Sequence, residues 1–207
     1  MVIRHKSSEL RKQQIIGAAR KLIFKYGSQH VTLRKIAKEV GLTEAAIYRH
    51  FPSKKSIMSL MADHIAESLL GDIDKAKEQG STKLETLDLI MRRHFSAIEQ
   101  RRGLSFAVIA EIITLGDKML NNKVADIIDK YINALKDLLS QGVITGEIRG
   151  DIDLHAAAQI LFGMIQGLGN VWTLNSRKFN LVERYEELWK IFLCAIIKQK
   201  CIEGANG

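Results

Sequence analysis

Leu33-Arg-Lys-Ile-Ala-Lys-Glu-Val-Gly-Leu-Thr-Glu-Ala-Ala-Ile-Tyr-Arg-His-Phe51 is the stretch that decides the fold. Ile36, Val40, Leu42 and Ile47 supply apolar contacts spaced to clamp two short helices, and Ala37 is small where the second must cross close by. Thr32 fits the N-cap of the first helix, which ends at Gly41, where the sharp turn calls for a positive φ that glycine adopts at least cost. The second helix follows from Thr43 to about His50. This is a helix-turn-helix, an arrangement whose second helix enters the major groove while the first braces it.

Charge points the same way. Residues 1–56 hold thirteen Lys and Arg against three acids, a balance of +10 within a total of +8, so the other 151 residues sum to −2. A basic quarter on a near-neutral remainder predicts a polyanion partner engaged by one end. Apolar residues make up 46% and charged residues 26% of the 207, which excludes wholesale disorder. With two cysteines, Cys194 and Cys201, neither a disulfide scaffold nor a four-ligand zinc site is available. No secretory leader is legible in Met1–Lys12, so a cytoplasmic location is expected.

Outward from the motif, the apolar period is helical throughout. Expected helices run from Leu10 to Tyr26, from Lys54 to about Lys77, and from Thr82 to Gln100. Further ones run from Gly103 to Leu115, Lys118 to Gln141, about Leu154 to Leu174, and Leu181 to Lys198, with Gly142–Asp151 as a glycine-rich connector and Asp151 or Asp153 as the next cap. The expectation is an all-α protein of about nine helices, with a DNA-binding domain at 1–53 and a larger ligand-binding and dimerisation domain at 54–207. The basic segment Met1–Lys12 is read either as a disordered tail or as one that folds or reaches a minor groove.

Ile15-Ile-Gly-Ala-Ala-Arg-Lys-Leu22, Gly27, Val31-Thr-Leu-Arg-Lys-Ile-Ala37 and Ala45-Ala-Ile-Tyr-Arg-His-Phe-Pro-Ser-Lys54 together resemble the N-terminal domain of the TetR family of bacterial transcription regulators over about 45 residues. Beyond them the likeness is in size, helical pattern and the Gly146-Glu-Ile-Arg-Gly-Asp-Ile-Asp153 connector. Ile23, Lys35 and Ala45 depart from that family's usual Phe, acid and Gly. The resemblance implies that Tyr48, His50, Lys54 and Lys55 hydrogen-bond phosphates, contacts that position without reading sequence. Bases would be read by Thr43, Glu44, Ala45 and Ala46 with Arg34, through thymine methyls, cytosine and guanine edges; Thr43 as a simple N-cap is the competing reading.

The resemblance further implies a small effector in the helical body. Met61, His64, Met91, His94, Phe95, Phe106, Ile109, Ile113, Met119 and Trp172 are the candidate lining, suited to a hydrophobic ligand or else ordinary core. Arg92, Arg93 and the histidines are partners for an anionic group or solvated charges. The last two helices carry apolar surface to spare, which predicts a homodimer through Leu161, Ile165, Leu168, Tyr185, Leu188, Phe192 and Ile196, and hence two reading heads on a palindromic operator. The uncharged stretch 154–176 is interrupted by polar residues and reads as a buried helix rather than a membrane span. Enzyme signatures are absent, Asp151, Asp153 and His155 read as capping residues rather than metal ligands, and no cofactor is expected. A ligand-released repressor is the expectation; an all-α carrier or enzyme for a hydrophobic molecule, without specific DNA binding, is the alternative.

Overall fold

Cap chemistry sets the motif as its sequence requires. The computed structural model describes residues 2–197, without the side chains of 2–7 and 29. The helix α1 covers Val2–Tyr26, longer than expected at its start, so the basic segment from Val2 continues the helix instead of forming a separate tail. A short 3-10 turn, Ser28–His30, precedes α2, Leu33–Val40, where the Thr32 hydroxyl accepts from the Lys35 amide at 3.2 Å. Gly41 closes α2 at φ 74°, and the Leu42 amide donates to the Ala37 carbonyl at 2.9 Å. Helix α3, Glu44–Tyr48, starts at Thr43, whose hydroxyl accepts from the Ala46 amide at 3.2 Å. A Cβ at Gly41 would meet nothing within 4 Å, so its whole cost is conformational. Gly41→Ala is therefore expected to lower unfolding free energy by about 1 kcal/mol in urea titration, and Gly41→Asn by less, because Asn tolerates the left-handed region.

The remaining helices are α4 (Lys54–Gln79), α5 (Lys83–Gln100), α6 (Leu104–Leu115), α7 (Lys118–Ile144), α8 (Leu154–Leu174) and α9 (Leu181–Ile196). Among the described residues the protein is all-α: nine α-helices, and in place of a strand one antiparallel bridge between Ile148 and Ile197. Gly142 belongs to α7, so the expected connector is shorter than its glycines suggested; a Cβ there would lie 2.6 Å from Ile148 Cδ1, which is why that residue can fold back onto the helix end. Asp153 caps α8 by accepting from the His155 and Ala156 amides, while Asp151 pairs with Arg149. Lys198 and Cys201 lie outside the described residues.

The chain divides into two compact units: residues up to Ser68 with Gln100–Ile127, and Leu69–Glu99 with the chain from Ile128 onward. Packing thus groups α6 and the first half of α4 with the helix-turn-helix. In the first unit Ile15, Ile16, Ala19, Leu22, Ile36, Ala37, Ile47, Phe51, Ile57 and Met58 are buried together. In the second, Leu87, Ile90, Met91, Phe95, Tyr131, Leu135, Leu161, Ile165 and Tyr185 form the core. Tyr185 donates to Asp88 at 2.8 Å, and burial followed by that bond pushes its phenol well above the ordinary value.

Candidate functional site

Ile47 anchors α3 in the core of the first unit, and everything else on that helix turns outward. Glu44, Ala45 and Tyr48 are exposed and Ala46 and His50 half-exposed. Tyr48 is 52% exposed, so it is not a core aromatic. Thr43 is exposed, and its hydroxyl accepts from the Ala46 amide as the N-cap of α3, a bond that leaves its methyl group and its O–H unused. Arg34 lies 3.7 Å from Glu44 with both side chains in solvent, a pair worth at most about 1 kcal/mol and easily exchanged for a better partner. Lys21 and Glu39 form a second ion pair, joining α1 to α2.

Lys54 is the correction in this group, and Lys55 has a partner on the surface. Lys54 Nζ donates to Glu111 Oε1 at 2.6 Å and to the Ser28 carbonyl at 2.9 Å, so two of its three donors are taken inside the protein and it is not a free phosphate clamp. Lys55 pairs with Asp117 at 2.7 Å. Lys123 reaches Asp63 at 2.7 Å and Ser59 at 2.8 Å. Three lysine pairs therefore brace the N-terminal half of α4 against α6 and the start of α7. Glu111 is only 5% exposed. Burial raises its carboxyl, but the hydrogen bond from Lys54, another at Ser28 and the ammonium charge together outweigh it and hold the group below the usual carboxylate range. Glu111 was missed from sequence, although a signal existed: it is the lone charged residue in Leu104–Leu115, and a single acid in an apolar helix needs a partner.

The candidate effector residues fall in both units. In the first, Met61 is buried and lines a cavity of about 290 Å³ with His64, Arg20, Ile65, Arg101, Leu104, Ser105 and Val108. Phe106 and Ile109 are half-buried and not part of that lining. Ile113, 64% exposed, points into solvent because α6 buries its Val108-Glu111-Ile112 side, and Met119 at the start of α7 is exposed as well; neither lines that cavity. In the second unit Met91, Phe95 and Trp172 are core, Trp172 donating to the Phe179 carbonyl at 2.8 Å. His94 is half-buried, its Nδ1 lying 3.1 Å from the Tyr131 hydroxyl. Arg92 is held between Asp88 and Glu186, which withdraws it from any ligand anion, and Arg93 donates to Gln79.

The expected dimer residues also need correction. Leu161, Ile165, Tyr185, Phe192 and Ile196 are buried within the protomer's own second unit, so they have no surface for a second copy; Leu168 and Leu188 are half-buried. The open stripe of α8 is instead Ala156, Ile160, Gly163, Gly167, Val171 and Leu174, and on α9 Ile191, Cys194 and Ala195 are exposed. A Cβ at Gly163 or Gly167 would meet nothing within 4 Å.

Two family models match the chain. The one described as bacterial regulatory proteins, tetR family, matches residues 15–60. The one described as YsiA-like protein, C-terminal region, matches residues 62–195. The chain is 29% identical over 184 residues to a fatty acid metabolism regulator protein of Bacillus subtilis, covering 88% of this chain and 94% of that one. It is 24% identical to the nucleoid occlusion factor SlmA of Vibrio vulnificus, over 92% and 97% of the two chains. Among solved structures, the transcriptional regulator FadR from Bacillus subtilis in complex with stearoyl-CoA superimposes with a TM-score of 0.75 at 28% identity, over 87% of this chain and 97% of that one.

Proposed function

Because the chain belongs to the TetR family of bacterial regulatory proteins, we propose that it is a repressor that holds a palindromic operator as a homodimer and releases it on binding a long-chain acyl thioester. It is a DNA-binding transcriptional regulator that responds to a ligand. The Bacillus subtilis relative is named a regulator protein, not an enzyme, and no helix among the described residues is long and apolar enough to cross a membrane. Residues 1–53 are assigned to DNA, and 54–207 to effector and dimer contacts; the two family models change over at residues 60–62.

The observation that carries DNA binding is the outward-facing α3, which ends in an exposed Tyr48 on a basic unit. Arg34, Glu44, Ala45 and Ala46 face the groove in this reading, with Tyr48 and His50 on phosphates and Lys55 free to exchange Asp117 for one. The acyl thioester is supported by similarity to a regulator solved with stearoyl-CoA. The homodimer is supported by the uncharged, glycine-bearing stripe on α8. A mid-helix glycine costs roughly 0.5–1 kcal/mol against alanine, and at Gly163 and Gly167 the protomer gives no steric reason for it. A second helix lying close against that stripe supplies one.

Fluorescence anisotropy on duplex DNA from upstream of the protein's own gene, against a scrambled duplex at two salt concentrations, tests the reading. Expected are tight, salt-sensitive binding that prefers the native duplex, and release by stearoyl-CoA but not by coenzyme A alone. Equal affinity for both duplexes would favour the carrier-or-enzyme alternative. Tyr48→Phe is expected to weaken both duplexes alike. A hydroxyl-to-phosphate hydrogen bond is worth about 1.5 kcal/mol, so the two of a dimer amount to on the order of a hundredfold. The salt slope should stay unchanged, since a neutral hydroxyl releases no counterion.

A further inference from the structure

The cavity of the first unit has an unusual wall. Arg20 of α1 and Arg101, in the turn before α6, both line it, and among the described residues neither guanidinium has an acidic partner within ion-pair distance. Arg20 Nη2 donates to His64 Nδ1 at 2.9 Å, so the imidazole acts as acceptor and holds one edge of the guanidinium fork while the other edge stays open. Partial burial, then the charge of Arg101, lowers the Arg20 value. The Ser105 hydroxyl stands on the same wall, and Met61, Ile65, Leu104 and Val108 make the rest apolar. Arg101 is aimed there by a turn in which Arg102 (φ 54°) and Gly103 (φ 75°) are both left-handed and Arg102 stacks on Phe24 of α1, 4.4 Å from the ring centre.

We propose that this cavity is a binding site for a small phosphate monoester bearing an apolar group, its phosphate on Arg20, Arg101 and Ser105 and its apolar part on Met61, Ile65, Leu104 and Val108. The open edge of the Arg20 guanidinium and the fork of Arg101 match the oxygens of a phosphate, and a dianion offsets both charges where a carboxylate offsets one. At about 290 Å³ the space lies at the small end of ligand pockets, roughly 300–1,000 Å³, which favours a compact molecule. The site lies wholly within the unit that carries the helix-turn-helix and does not depend on the identity of the effector proposed above.

Isothermal titration calorimetry of the DNA-free full chain at constant ionic strength, with hexyl phosphate, inorganic phosphate, hexanoate and hexyl glucoside, tests the proposal. Hexyl phosphate is expected to bind with a Kd below about 1 mM, at least tenfold tighter than any of the other three. Arg101→Gln, at an exposed position and checked for native helicity, should weaken it at least tenfold, and Arg101→Lys should lie between, keeping the charge but not the fork. Absence of hexyl phosphate binding in the millimolar range, equal binding of hexanoate or hexyl glucoside, or an Arg101→Gln affinity within threefold of the native chain would each overturn it.

Discussion

Lys54→Met is expected to lower the unfolding free energy by about 3 kcal/mol, which for a chain of this length corresponds to a fall of roughly 6–12 °C in Tm. The reason is what the substitution leaves behind. Glu111 is almost fully buried, and its ionised form is held by the Lys54 ammonium at 2.6 Å; without it a carboxylate sits in an apolar helix with no counter-charge. The figure is taken at the low end for a broken buried pair because Lys54 keeps 21% of its side-chain surface in water. Lys54→Met/Glu111→Leu should recover to within about 1 kcal/mol of the native chain, since removing both charges removes the desolvation cost as well. Acid should shrink the defect. The folded-state Glu111 value is depressed, so the stabilisation it gives is present above the unfolded carboxyl value and lost as pH falls through the folded one. Urea titration at neutral and acid pH measures all three; a single mutant within 1 kcal/mol of the native chain at neutral pH would remove Lys54–Glu111 as the brace between α4 and α6.

Gly167→Arg is expected to separate the proposed dimer while leaving the protomer folded. The position has open space around it and lies in the middle of α8. Arginine there gains up to about 1 kcal/mol of helix propensity over glycine, yet it places a long charged chain where a second helix must approach. Since joining two reading heads multiplies operator affinity by roughly 10²–10⁴, that factor is expected to be lost in anisotropy. Sedimentation should show a monomer with unchanged helicity. Ile165→Ala makes the contrast: a cavity in the core of the second unit costing about 2–5 kcal/mol, with the folded fraction still dimeric. A Gly167→Arg chain that remains dimeric at the same concentration would show that the α8 stripe is not the interface.

Both predictions depend on long-range contacts, and this is where reading the sequence reached its limit. The caps at Thr32, Thr43 and Asp153, the left-handed Gly41 and most helix bounds were legible because each depends on groups three or four residues away. The exposed end of α3 was legible for the same reason, since Ile47 alone has to face the core. The apolar period of α8 and α9 was legible too, but a period says only that one face is covered, not by what. Tyr185, Phe192 and Ile196 satisfied the pattern expected of a dimer face and are covered by their own protomer. Lys54 satisfied the pattern of a phosphate contact and met Glu111, 57 residues away. Sequence by itself determined an all-α chain with a basic helix-turn-helix at one end. Tertiary structure decided which charges are already paired, which apolar face is left open and where two arginines meet without an acid, because burial and ion pairing depend on distances between residues far apart in the chain.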